Sequence, residues 1–142
     1  MKKNDRQVRI GEVYLMNFGG QGNEQKGWRP GIVFQNNLGN THSPNIIALP
    51  LTSSLKKQNQ PTHVVIPANE YTGLAKDSMV LCENPERMSK ERIGAYLTTV
   101  PNEYMAQIAI ANLLATSAIS FVEPEALLLA WQKSLALNSV VA

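Results

Sequence analysis

Cysteine is almost missing from this chain: Cys82 is the only one in 142 residues. A single thiol cannot close an intrachain disulfide, which fits a reducing compartment. Histidine is nearly as scarce. His42 and His63 lie far apart, and no CxxC or HxxxH spacing offers a metal-ligand cluster. No metal and no cofactor are expected. Charged residues make up 17% of the chain and nearly balance, leaving a net charge of +2. That excludes the strongly basic class of nucleic-acid binders, although a local patch stays open. No apolar run approaches the roughly 20 residues that span a bilayer. The N-terminal MKKNDRQVRIGEVYL holds lysines without the apolar stretch of a signal peptide. A cytoplasmic protein with no membrane role is expected. The glycines of FGGQGNEQKG are not followed by GKS or GKT, which removes a phosphate-binding P-loop.

What the chain does have is apolar content of 44%, enough for one packed domain at this length. GEVYLMNF, PGIVFQN, IIALPLT, THVVIP and DSMVLCEN read as five short strands. The second is apolar on both faces. The stretches between them carry turn chemistry, including NLGNTHSPN and the basic loop SSLKKQNQP. Strands at this spacing, with no helices between them, predict a small antiparallel barrel. Helices are expected late. SKERIGAYL suits a short one. PNEYMAQIAIANLLATSA suits a longer one, with Met105, Ile108, Ala109 and Leu113 on its apolar face, closing one side of the barrel. Residues 124–137 form a last helix whose Leu127, Trp131 and Leu135 make one stripe, expected to pack on the chain's own barrel or on a partner.

Arg29 stands at the mouth of the second strand, and Pro30 follows it. Proline fixes its own φ and pushes the preceding residue toward extended geometry. Arg29 is therefore either an ordinary surface arginine opening a strand or a guanidinium positioned for an anion such as phosphate. Polar groups mark other strand ends: Thr52, Ser53 and Ser54 after the third, Glu83 and Asn84 after the fifth. In a barrel the loops of one rim converge. A cation, hydroxyls and a carboxylate on one rim suit a phosphodiester. The arginine would neutralise developing charge, a hydroxyl would hold a non-bridging oxygen, and the carboxylate would take a proton. Lys56 and Lys57 read either as a solvated face or as phosphate contacts.

GEVYLMNFG, NEQKGWRPGIVFQNN, SPNIIALPLTSS, PTHVVI and KDSMVLCEN, in this order, resemble the MazF/PemK family of toxin ribonucleases over about residues 9–117. The resemblance implies a small SH3-like antiparallel barrel of the kind shared by MazF, Kid and CcdB toxins, closed by a helix. Residues 1–120 would be the toxin domain and 121–142 a C-terminal helical extension of it. The implied activity is the toxin role in a type II toxin–antitoxin system: a homodimer that cleaves single-stranded RNA at short sequences, without metal, through attack of the 2′-OH. The implied partner besides RNA is an antitoxin whose disordered C-terminal segment fills the RNA groove. Arg29 and Thr52 match the family's catalytic arginine and threonine, and Glu83 lies where relatives carry an acidic residue. Glu24, Gln25, Ser53, Lys56, Lys57 and Asn84 are the expected substrate-binding set. The run ENPERM departs from the family, placing Glu86 where a basic residue is usual. The other reading is a non-catalytic member, either a protein-binding toxin like the relative that poisons gyrase or a degenerate RNA-binding module.

Overall fold

The computed structural model describes residues 4–19 and 27–139. Among the described residues seven strands form: β1 (Glu12–Asn17), β2 (Trp28–Val33), β3 (Asn45–Thr52), β4 (His63–Ile66), β5 (Ser78–Leu81), β6 (Glu86–Ser89) and β7 (Ile93–Thr99). With them come the helices α1 (Asn37–His42), α2 (Asn102–Thr116) and α3 (Pro124–Asn138). Every ladder is antiparallel. The strands run in the order β4-β5-β3-β2-β1-β7, and β6 pairs with β3 beside that path.

β1 to β5 follow the five expected runs; β6 and β7 are additional. SKERIGAYL is not a helix. It makes one 3₁₀ turn, Lys90–Arg92, in which Ser89 Oγ accepts the Glu91 N–H at 3.2 Å, and then enters β7. Tertiary pairing decides this. β1 has an edge open on the side away from β2, and β7 fills it from Glu12↔Thr99 to Met16↔Ile93. Gly94 weakens a helix, while Thr98 and Thr99 favour an extended strand. NLGNTHSPN, expected as turn, contains α1. Asn36 Oδ1 caps it by accepting the Gly39 N–H at 2.9 Å.

The ladders do not close into a barrel. β4 and β7 end the path and do not pair with each other. β4 is four residues long and pairs with β5 alone, while α2 packs against it. β3 serves two neighbours along one edge: Leu51 and Thr52 pair with β5, and Asn45–Ala48 pair with β6.

Strand alternation splits the core in two. Val13, Ile32, Leu49 and Leu51 face Ile108 and Ala111 of α2, while Tyr14, Met16, Val33, Ile46 and Ala48 face Met88 and Ile93 on the other side. Much of β1, the second half of β2 and the stretch Ala48–Leu51 of β3 are thus buried on both faces. Gly31 sits where the second cluster is tightest: a Cβ there would lie 2.7 Å from Met16 Sδ and 2.8 Å from Phe18 Cζ. Buried Glu12 is paired rather than isolated. It accepts from Arg9 N (2.7 Å), Tyr14 OH (2.9 Å) and Arg6 Nη2 (2.7 Å). Burial, foremost, pushes the Tyr14 phenol up to about 12.

The expected apolar face of α2 is mostly correct. Ile108 is buried and Met105 packs on the core, but Leu113 points outward and Ala111 takes its place. α3 forms as expected, with Pro124 in its first turn. Its stripe does not pack on the sheet: Leu127, Trp131 and Leu135 are 41%, 60% and 53% exposed. α2 ends at Ser117, which is left-handed (φ 55°), and the 3₁₀ turn Ala118–Phe121 redirects the chain before α3 begins. α3 then meets α1, where Asn138 Oδ1 accepts the Asn37 N–H at 3.0 Å. Among the described residues, no helix is long and apolar enough to cross a membrane.

Candidate active site

Arg29 belongs to β2, where it pairs with Met16 of β1. β2 and β3 pair at Gly31↔Pro50. Arg29 and Thr52 lie two residues further along their strands, beyond this last paired row. The ladders part at this level. Trp28 and Arg29 stay with β1, whereas Leu51 and Thr52 turn to β5, with Thr52 opposite Met79. A fork opens between β2 and β3. Pro30 stiffens one arm of it, and its missing N–H costs no ladder bond at a point where β3 has already left.

A cavity of about 360 Å³ lies in the fork, bounded by Pro30, Leu51, Thr52, Ser53, Leu74, Lys76, Ser78 and Leu97. Its walls are mainly apolar and its polar groups gather at Thr52, Ser53, Lys76 and Ser78. Thr52 is half-buried, and its Oγ1 accepts the Ser54 N–H at 3.1 Å. A hydroxyl that accepts there still has its proton to give. Ser53 is exposed beside it. Thr52, Ser53 and Lys76 line this cavity, whereas Arg29 does not: it is half-buried beside the lining residue Pro30, with its Nε buried.

The other expected site residues fall elsewhere. Lys56 and Lys57 are exposed on the loop between β3 and β4, and Lys57 is left-handed (φ 60°). Glu83 lies in the corner between β5 and β6, four residues past Met79, so up to about 13 Å along the strand from the Thr52 row. Glu83 Oε2 is 2.7 Å from His63 Nε2. Asn84 donates its backbone N–H to Leu81 O at 3.1 Å and shapes the same corner. Glu24 and Gln25 lie outside the described residues. Two residues went unexpected: Lys76 carries no motif, and the partner of His63, Glu83, is 20 residues away in sequence. Cys82 is buried, and burial, then the charge of Glu83, push its thiol up to about 12, so it is no nucleophile.

Comparison with known proteins decides the family. Residues 9–114 match the PemK-like, MazF-like toxins of type II toxin–antitoxin systems. The chain belongs to this family. It is 37% identical over 102 residues to the endoribonuclease MazF of Staphylococcus epidermidis, a match covering 71% of this chain and 84% of that one. Among solved structures it resembles MazF from Deinococcus radiodurans, with TM-score 0.68, 25% identity, and 80% and 99% of the two chains covered. It also resembles a mycobacterial endoribonuclease in complex with its cognate antitoxin, with TM-score 0.65, 25% identity, and 78% and 95% covered. The family match ends at Leu114, ahead of α3.

Proposed function

We propose that this chain is the toxin of a type II toxin–antitoxin pair and a metal-independent endoribonuclease that cleaves single-stranded RNA at short sequences. The observation that carries this reading is that the β2–β3 pairing, ending at Gly31↔Pro50, leaves the strand ends bearing Arg29 and Thr52 at one edge of the sheet, beside a cavity lined by Pro30, Thr52, Ser53 and Lys76. RNA supplies the nucleophile: its 2′-OH gives its proton to water and attacks the adjacent phosphorus, the bond to the 5′ oxygen breaks, that oxygen takes a proton from water, and a 2′,3′-cyclic phosphate and a 5′-OH result. Arg29 stabilises the charge that builds on the phosphorane oxygens, and the Thr52 hydroxyl donates to one of them. Ser53, Lys56, Lys57 and Asn84, with Glu24 and Gln25, hold the RNA on either side. Glu83 was expected as the catalytic carboxylate. Its distance from the Thr52 row and its bond to His63 support a role at the flank of the groove instead.

In this reading the open sheet, with α2 packed on β4, is a variant of the SH3-like toxin fold in which β4 and β7 stay unpaired. Residues 1–120 form the toxin domain and 121–142 an extension of it. The protein works in the cytoplasm as a homodimer, and the antitoxin's flexible C-terminal segment competes with RNA for the groove. A purely protein-binding toxin leaves Arg29 and Thr52 without a task.

The test is to incubate the purified protein with mixed-sequence RNA in EDTA and map the product ends. Cleavage is expected to persist, and to stop when the scissile nucleotide carries hydrogen in place of the 2′-OH. EDTA inhibition reversed by added magnesium overturns the mechanism, and absence of any cleavage overturns the function.

A further inference from the structure

We propose that His63 is a positioning residue that latches the lysine-bearing loop between β3 and β4 onto the corner carrying Glu83, and so holds the loop's charges in register with the RNA groove. The proposal rests on the ribonuclease reading above. Its basis is a pair of hydrogen bonds through the two nitrogens of one ring. His63 Nδ1 lies 2.9 Å from the backbone oxygen of Lys57, and Nε2 lies 2.7 Å from Glu83 Oε2. Both partners are acceptors when Glu83 is ionised, so filling both bonds requires a proton on each ring nitrogen. The His63 side chain is only 6% exposed, whereas the Glu83 side chain is 34% exposed. The ring is thus sheltered under the loop, and its charged partner faces solvent.

The loop itself shows what the latch restrains. Lys57 holds φ at 60°, a left-handed conformation that a lysine does not adopt unaided. Its carbonyl accepts the His63 bond and also the Gln60 N–H at 3.2 Å, while the His63 N–H returns to Gln60 O at 3.0 Å. Three of the loop's bonds therefore converge on His63 and Lys57. Strand pairing fixes His63 opposite Leu81, two residues from Glu83. One imidazole thereby ties the exposed ammonium groups of Lys56 and Lys57, just past Thr52 and Ser53, to the body of the sheet. Lysines ordered in advance bind a polyanion without first losing loop entropy.

The test measures steady-state cleavage of a single-stranded RNA by the full chain, with binding followed as a function of salt. His63→Ala is expected to raise KM by about tenfold and leave kcat at saturating RNA within about twofold. It should also make the plot of log affinity against log salt shallower by about 1.4, the share of two phosphate contacts on a single strand. Lys56→Ala/Lys57→Ala should do the same, and adding His63→Ala to it should change little more. Should His63→Ala fail to fold, His63→Asn keeps the Lys57 bond and His63→Gln keeps the Glu83 bond; each is expected to fold and show part of the KM shift. Unchanged KM and salt slope in a folded His63 variant, with the wild type active, overturn the latch. A wild type that neither cleaves nor binds RNA overturns the reading beneath it.

Discussion

Leu49 and Leu129 are the same side chain in two different situations. Leu49, in β3, is fully buried between the sheet and α2, whereas Leu129, in α3, is 61% exposed. The sheet spends its apolar residues on both faces of β1, β2 and β3. α3 has no buried residue, and near its C-terminal end Asn138 accepts the Asn37 N–H. A helical stripe of leucines announces a helix; it does not name the surface that covers it. Stability and chemistry should therefore both reside in the sheet, with the arm nearly silent in assays of either.

Four measurements break or sharpen that contrast. The largest effect is expected from Leu49→Ala, which should lower the unfolding free energy by about 2–5 kcal/mol, against less than about 0.5 kcal/mol for Leu129→Ala. Denaturant unfolding of the two variants compares them directly, and equal losses would mean that α3 is buried in solution. Next, Arg29→Ala should cut cleavage by about 10²-fold, near 2.7 kcal/mol of barrier, with an unchanged melting curve. Arg29→Lys should recover part of that loss, since it keeps the charge but not the planar fork. Near-normal turnover by folded Arg29→Ala removes the residue from the mechanism. A chain ended after Ser120 should retain cleavage and lose about 1 kcal/mol, because the Asn37 N–H gives up its bond to Asn138. A larger loss in calorimetry, or a changed association state in sedimentation, would place α3 in an interface. The smallest effect is expected from thiol reagents. With the Cys82 thiol pushed up to about 12, the thiolate is scarce at pH 8 and the folded protein should resist iodoacetamide until denaturant is added. Rapid native labelling would show that the core opens near β5.

Periodicity made β1 to β5 legible because each is a short β-prone run between turn residues. β6 and β7 were hidden for different reasons. ERMS has no alternation of its own, and becomes a strand because Asn45–Ala48 offer it an edge. IGAYLTT has residues that suit either structure, and β1 decides the matter from 77 to 87 residues away. The site divides in the same way. Arg29-Pro30 and the hydroxyls after β3 announce themselves as local words. Their placement across a fork comes from the register of two strands and from the departure of β3 to β5, neither of which a single segment encodes. The bond between His63 and Glu83 is longer-range still, and no spacing rule points to it.

The pairing of β1 with β7 has a consequence in time. β1 gains its first neighbour, β2, from the adjoining segment, but its second arrives only with Ile93–Thr99. At about 5–20 residues per second of synthesis, a nascent β1 waits on the order of 4–16 s with one edge bare. Contacts of such sequence separation also slow refolding, toward the millisecond-to-second range of sheet proteins. During synthesis, until β7 docks, the first strand of such a chain has an edge open to any extended chain that reaches it.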